Sequence, residues 1–178
     1  CLFGFREHHS TSMALTKLVD KIIHELDNKC YSISIFLDLS KAFDTIDHNI
    51  LVEKLQSYGF RGIVKDWLTS YISDREQFVS INGRYSTTLP IHTGVPQGSI
   101  LGPLLFILYI NDFVNISKDV ELLLFADDTD IHQLAVRAND ALSDINNWFK
   151  LNKLSVNVKK CNFILFTTRS VTVSADFL

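Results

Sequence analysis

Cysteine is scarce in this chain, and the three present, Cys1, Cys30 and Cys161, are odd in number with no Cys-x-x-Cys pair. A disulfide scaffold is therefore not expected, and a reduced intracellular compartment fits better. The six histidines show no His-Glu-x-x-His or zinc-ligand spacing, so no transition metal is assigned. Proline (3) and glycine (7) are few, and there are no repeats, low-complexity tracts or Pro/Gly-rich linkers. The apolar run 100–110 is too short to span a membrane and contains Gly102 and Pro103. Asn115-Ile116-Ser117 matches a glycosylation acceptor, which means little without a secretory signal. No initiator Met precedes Phe3-Gly4-Phe5-Arg6, which reads as mid-motif, so a fragment of a larger polyprotein is expected.

Basic charge is also in short supply. The formal net charge is −3, and composition alone would not suggest a nucleic-acid binder. The charge is uneven, however. From Asn147 onward Lys150, Lys153, Lys159, Lys160 and Arg169 face a single acidic residue, Asp176. A solvated face explains this as well as a binding surface does.

What is present is apolar residue, 47% of 178, enough for one sizeable core and a single domain over 1–178. Ser10 or Thr11 caps a predicted helix to about Asn28, with Met13, Leu15, Leu18, Ile22 and Ile23 on its buried side. Residues 31–37 read as a strand ending at Asp38. Asp47 caps a helix through Leu51, Val52 and Leu55 to Tyr58, closed by Gly59. A further helix carries Ile63, Trp67, Leu68 and Ile72. Segments 77–81 and 84–89 flank Asn82-Gly83, a strong hairpin signal. Ser99 begins an apolar helix to about Asn115, with Pro103 tolerated in its first turn. Segments 121–125 and 129–135 are expected to form a hairpin, 139–151 a helix with Leu142, Ile145, Trp148 and Phe149 inward, and 162–167 a last strand.

With the central excursion set aside, the order is β-α-β-β-α-β, the split βαβ arrangement of an α+β fold with an antiparallel sheet. Its first two strands are parallel and the third lies between them. That topology predicts Asp38 opposite Asp127 and Asp128 at one sheet edge. Adjacent aspartates are ordinarily just a turn. Three carboxylates at an open edge, however, suit two Mg²⁺ ions, which would relieve the repulsion and support in-line phosphate chemistry.

Phe36-Leu37-Asp38-Leu39-Ser40-Lys41-Ala42-Phe43-Asp44, Gly94-Val95-Pro96-Gln97-Gly98-Ser99-Ile100-Leu101-Gly102-Pro103 and Phe125-Ala126-Asp127-Asp128 occur in that order. Together they resemble the three central motifs of reverse transcriptases, most closely those of non-LTR, jockey-like retrotransposons. Phe3-Gly4-Phe5-Arg6 with Ser10-Thr11, and Asn157-Val158-Lys159-Lys160-Cys161, resemble flanking blocks of that family. The resemblance covers nearly the whole chain.

It implies a polymerase palm with part of the fingers, the start of the fingers and the thumb being absent. Asp38, Asp127 and Asp128 would be the catalytic carboxylates and ligands of two Mg²⁺ ions, with Mn²⁺ as a substitute. Phe43 would lie beneath the incoming sugar and exclude a ribose 2′-hydroxyl; composition alone reads it as a core Phe. Gln97 and Gly98 resemble the loop against which the incoming nucleotide and template base pack. Lys160, or its neighbour Lys159, would lie near the nucleotide phosphates, and Arg6 would touch template from the finger side. As plain surface charges, these residues need no such role. Asp44 would orient its loop, Asp47 caps a helix, and Asp130 is structural. Leu2 departs from the family, which commonly has Gln there.

The implied activity is RNA-directed DNA synthesis on an RNA template from a DNA primer and deoxynucleoside triphosphates. The setting would be a cytoplasmic ribonucleoprotein and the nucleus, with no membrane. An endonuclease would be expected elsewhere in the full-length protein, and the isolated stretch is expected to be poorly active. The alternative is a decayed or repurposed element copy that at most binds RNA. A nucleotide cyclase is a third option, opposed by Phe43 and the Pro96-Gln97-Gly98 loop.

Overall fold

A computed structural model describes residues 10–116, 124–126 and 131–169. The chain divides into two units. One comprises Cys1–Ser40, Asp112–Leu151 and Ser155–Leu178, the other Lys41–Asn111 and Asn152–Leu154.

In the first unit, helix α1 (Thr11–Asp27) starts where the Ser10 hydroxyl accepts the Met13 amide hydrogen at 3.2 Å. Strand β1 (Tyr31–Phe36) follows. It is central in a three-stranded sheet, between β6 (Leu124–Ala126) and β7 (Asn162–Phe166), and both pairings are antiparallel. Helix α5 (Ile131–Leu151) packs on this sheet. Ile33, Leu134 and Ala138 form a buried cluster, joined by Tyr31, Ile35 and Leu165. The even positions Ser32 and Ser34 are buried too, on the other side of the pleat. Farther along α5, Trp148 and Phe149 close around Phe113, whose ring centroid lies 5.0 and 5.5 Å from theirs.

Three expectations for this unit are corrected. Residues 131–135 belong to a helix, not to the second arm of a hairpin. Leu134, Ala138, Ala141, Ile145 and Phe149 are all buried, and their spacing of three or four extends the helical stripe back past Asn139. Strand β6 runs antiparallel beside β1, whereas the split βαβ reading makes its first two strands parallel with a third between them. Tyr31 pairs with Ala126, so β6 ends beside the start of β1 and Asp38 follows the other end. Among the described residues no strand lies between them, and β6 pairs directly with β1. On α1, Ile22 is buried and Leu18 half-buried, but Met13, Leu15 and Ile23 are exposed. Periodicity told which residues share a face, not what covers it.

In the second unit, α2 (His48–Ser57) packs against α3 (Gly62–Ile72) and α4 (Leu101–Ile110). Its core holds Ile46, Leu51, Leu55, Leu68, Ile72, Val95, Leu105 and Tyr109. Two short ribbons lie between α3 and α4: β2 (Arg75–Gln77) pairs with β5 (Leu89–Ile91), and β3 (Ser80–Ile81) with β4 (Arg84–Tyr85). Asn82 (φ 49°) and Gly83 (φ 77°) make the inner turn, as their sequence suggested. Segment Asn152–Leu154 is stitched into this unit. Tyr109 donates its hydroxyl hydrogen to the Asn152 carbonyl at 2.7 Å, and Lys153 Nζ reaches Asp47 Oδ2 at 2.6 Å. Among the described residues no helix is long and apolar enough to cross a membrane.

Candidate active site

Asp38 is held in the first unit by backbone pairing just past β1. Its carbonyl accepts from the Asn157 amide at 2.8 Å, Ser40 donates to the Ser155 carbonyl at 2.8 Å, and Leu39 and Val156 form an antiparallel bridge. This pairing brings Asp38 beside the short 3₁₀ turn Val158–Lys160, where Lys160 Nζ lies 3.7 Å from Asp38 Oδ2. Two sequence-nominated residues are thus brought together, and Lys160 rather than Lys159 is the neighbour. The carboxylate is 43% exposed and the lysine 71%, so the pair itself contributes under about 1 kcal/mol.

A hard divalent cation suits this donor. The carboxylate oxygens are open to solvent and already draw a positive charge. Among the described residues no three His, Cys, Asp or Glu side chains form a metal-sized cluster. Asp127, Asp128 and Arg6 lie outside the described residues.

In the second unit, the loop after the first motif interlocks with the loop that opens the second. Gly94 N donates to the Ile46 carbonyl at 2.7 Å, Val95 N donates to the Phe43 carbonyl at 2.8 Å, and Asp47 bridges Thr93. Only glycine fits at 94. Its φ is +89°, and a Cβ there would meet the Asp44 carbonyl oxygen at 2.9 Å and the Phe43 carbonyl oxygen at 3.0 Å. His48 Nε2 lies 2.8 Å from the Gly94 carbonyl and holds the same junction from α2.

Three nominated residues lie on the loops that this contact joins. Phe43 is half-buried against Phe106 of α4, with ring centroids 4.9 Å apart. Gln97 donates Nε2–H to Asp44 Oδ1 at 2.6 Å. Gly98 is exposed at φ +77°, with open space where a Cβ would be. Ser99 Oγ accepts the Gly102 amide hydrogen at 3.0 Å, but α4 begins at Leu101 with Ile100 at its N-cap position, one residue later than the expected Ser99 cap. Asp44 and Gln97 also line an open cleft of about 620 Å³ whose other polar side chains include Arg75, Gln77 and His92.

Sequence reasoning missed His48, Lys153 and the Asp44–Gln97 bond. Asp47 is the cap it was taken for, accepting from the Asn49 and Ile50 amides at 3.0 and 3.1 Å, and it is also the partner of Lys153. Burial pushes its carboxyl up, but the Lys153 hydrogen bond, the Ile50 amide, the lysine charge and the Asn49 amide outweigh that. They hold it below the ordinary aspartate value of 3.8.

The model of the family described as reverse transcriptase (RNA-dependent DNA polymerase) matches residues 1–178. Among curated proteins, the chain is 32% identical to a probable RNA-directed DNA polymerase from transposon X-element of Drosophila melanogaster, over 96% of this chain and 20% of that protein. It is 30% identical to the RNA-directed DNA polymerase from mobile element jockey of the same fly, over 94% and 20%. It thus spans about a fifth of the length of these relatives. Among solved structures, apo telomerase from Candida tropicalis superposes with a TM-score of 0.58 at 18% identity, over 91% of this chain and 36% of that one. That likeness shows a palm-like α+β fold of mixed helices and small antiparallel sheets.

Proposed function

Because the chain belongs to the reverse transcriptase family, we propose that it is the palm, with part of the fingers, of a non-LTR retrotransposon polymerase that copies RNA into DNA. The observation that carries this reading is the interlock at Gly94, which joins the loop bearing Phe43 to the loop bearing Gln97. Both loops carry family motifs.

In this proposal Asp38, Asp127 and Asp128 hold two Mg²⁺ ions, with Mn²⁺ as a substitute. Bound there, the ions would lower the pKa of the primer 3′-hydroxyl and neutralise charge on the phosphate oxygens. The support for this ligand set is motif order, family membership and the open carboxylate of Asp38. The antiparallel pairing of β6 is not part of it.

Phe43, braced by Phe106, presents a flat wall to the sugar and excludes a 2′-hydroxyl by volume. Gln97 and Gly98 provide an amide and a surface without side-chain bulk for the incoming nucleotide. Lys160 supplies positive charge beside Asp38 for the nucleotide phosphates, and Arg6 meets template from the finger side. Catalysis would be mainly positioning and charge neutralisation. The template would be bound in a cytoplasmic ribonucleoprotein, and DNA synthesis would take place in the nucleus.

Primer extension on an RNA template by the full-length polymerase tests the reading. Extension should require a divalent cation, and Asp127→Asn should abolish it while leaving thermal unfolding unchanged. Wild-type rates in that variant would overturn the ligand assignment. RNA binding without any extension by the wild-type protein would favour a repurposed element copy instead.

A further inference from the structure

We propose that Asp44 is a positioning residue that sets which end of the Gln97 carboxamide faces the nucleotide. The inference rests on the polymerase reading above. A glutamine amide has two chemically opposite ends, a carbonyl that accepts and an NH₂ that donates, and rotation about its last bond exchanges them. An ionised carboxylate can only accept. Asp44 Oδ1, 2.6 Å from Gln97 Nε2, therefore captures the NH₂ end. The bond is short and charge-assisted, the stronger kind of hydrogen bond.

Oε1 is the end left free, and among the described residues nothing donates to it. Asp44 and Gln97 both line the 620 Å³ cleft shared with Arg75, Gln77 and His92, so a fixed acceptor stands at that opening. It suits a donor on the incoming nucleotide, a base N–H or a sugar hydroxyl. Asp44 itself cannot drift. Its amide donates to the Lys41 carbonyl at 2.8 Å, and its backbone is the surface against which Gly94 is packed. Both side chains are exposed, so the bond does little for the stability of the fold.

The test crosses the two positions in the full-length polymerase. Asp44→Asn can donate or accept and no longer dictates the amide's orientation, and Asp44→Ala removes the partner. Each should raise KM for the complementary deoxynucleotide roughly five- to tenfold, the loss of one charge-assisted hydrogen bond, with kcat within about twofold. Gln97→Ala should raise KM by a similar factor, and adding Asp44→Asn to it should cost less than about twofold more.

A second readout uses this chain alone. In an NMR spectrum one Gln97 Nε2 proton should be shifted downfield and slow to exchange, and Asp44→Ala should return it to the position of a solvated amide. KM effects that multiply across the two sites, or an unshifted Gln97 amide in the wild-type chain, would overturn the proposal. Absence of extension by the wild-type polymerase would instead remove the polymerase reading, leaving the amide spectrum to decide whether Asp44 holds Gln97.

Discussion

Lys160 Nζ lies 3.7 Å from Asp38 Oδ2, although most of the chain separates the two residues. The pairing of Leu39 with Val156, continued by the Asn157 amide on the Asp38 carbonyl, brings them together. Both side chains are substantially solvated, so Lys160→Ala should change stability by less than about 0.5 kcal/mol. Its effect should fall on substrate instead. Loss of one cation near the nucleotide phosphates should raise KM for deoxynucleotides by roughly three- to tenfold, less at high salt because exposed charges are screened. Lys159→Ala serves as the control, since in the structure Lys160 is the neighbour of Asp38. Equal effects from the two lysines in steady-state extension would remove the specific role of Lys160.

Asp47 offers a pH-dependent test in the second unit. Its folded pKa lies below the usual 3.8, so the carboxylate contributes stability in full above its unfolded pKa. That contribution is lost as pH falls through the lower folded value. Urea unfolding should therefore show wild-type stability declining from about pH 5 toward pH 2 with a component that Asp47→Asn lacks. Asparagine caps helices nearly as well as aspartate, so Asp47→Asn isolates what the ionised carboxylate adds through Lys153 and the Asn49 and Ile50 amides. Asp47→Ala removes the cap as well and should cost about 1 kcal/mol more. Identical pH profiles for the wild type and Asp47→Asn would show that the Asp47 charge, the Lys153 contact included, carries no stability.

Features set by neighbouring residues were legible before any coordinates. The Asn82-Gly83 turn and the Ser10 and Asp47 caps each depend on a few adjacent residues, and each forms where its chemistry places it. Longer-range features were legible only in part. The start of α5 was misplaced because Thr129, Ile131 and Val136 are β-branched and masked the helical spacing of Leu134 and Ala138. The direction of β6 was inferred from a crossover rule that requires a third strand, and the described chain builds a helix in its place. Asp44–Gln97 and Asp47–Lys153 join residues 53 and 106 positions apart. No periodicity encodes such pairs. Family motifs nominated Gln97, but the partner that orients it emerged only from the fold.

Phe43 permits the most direct check of substrate choice. Its ring is half-buried on Phe106, and its carbonyl accepts the Val95 amide, so the backbone at this position is fixed by a bond that does not involve the side chain. Shortening the side chain should therefore open space without moving the loop. Phe43→Val keeps a branched apolar contact with Phe106 and should lower stability by roughly 1–2 kcal/mol, less than truncation to alanine. If the ring is the barrier to a ribose 2′-hydroxyl, the ratio of kcat/KM for deoxynucleotides over ribonucleotides should fall by tenfold or more, about 1.4 kcal/mol of discrimination. The fall should come from faster ribonucleotide incorporation, with deoxynucleotide incorporation little changed. A variant that loses both activities in parallel would show that Phe43 supports the loop through Phe106 and does not read the sugar.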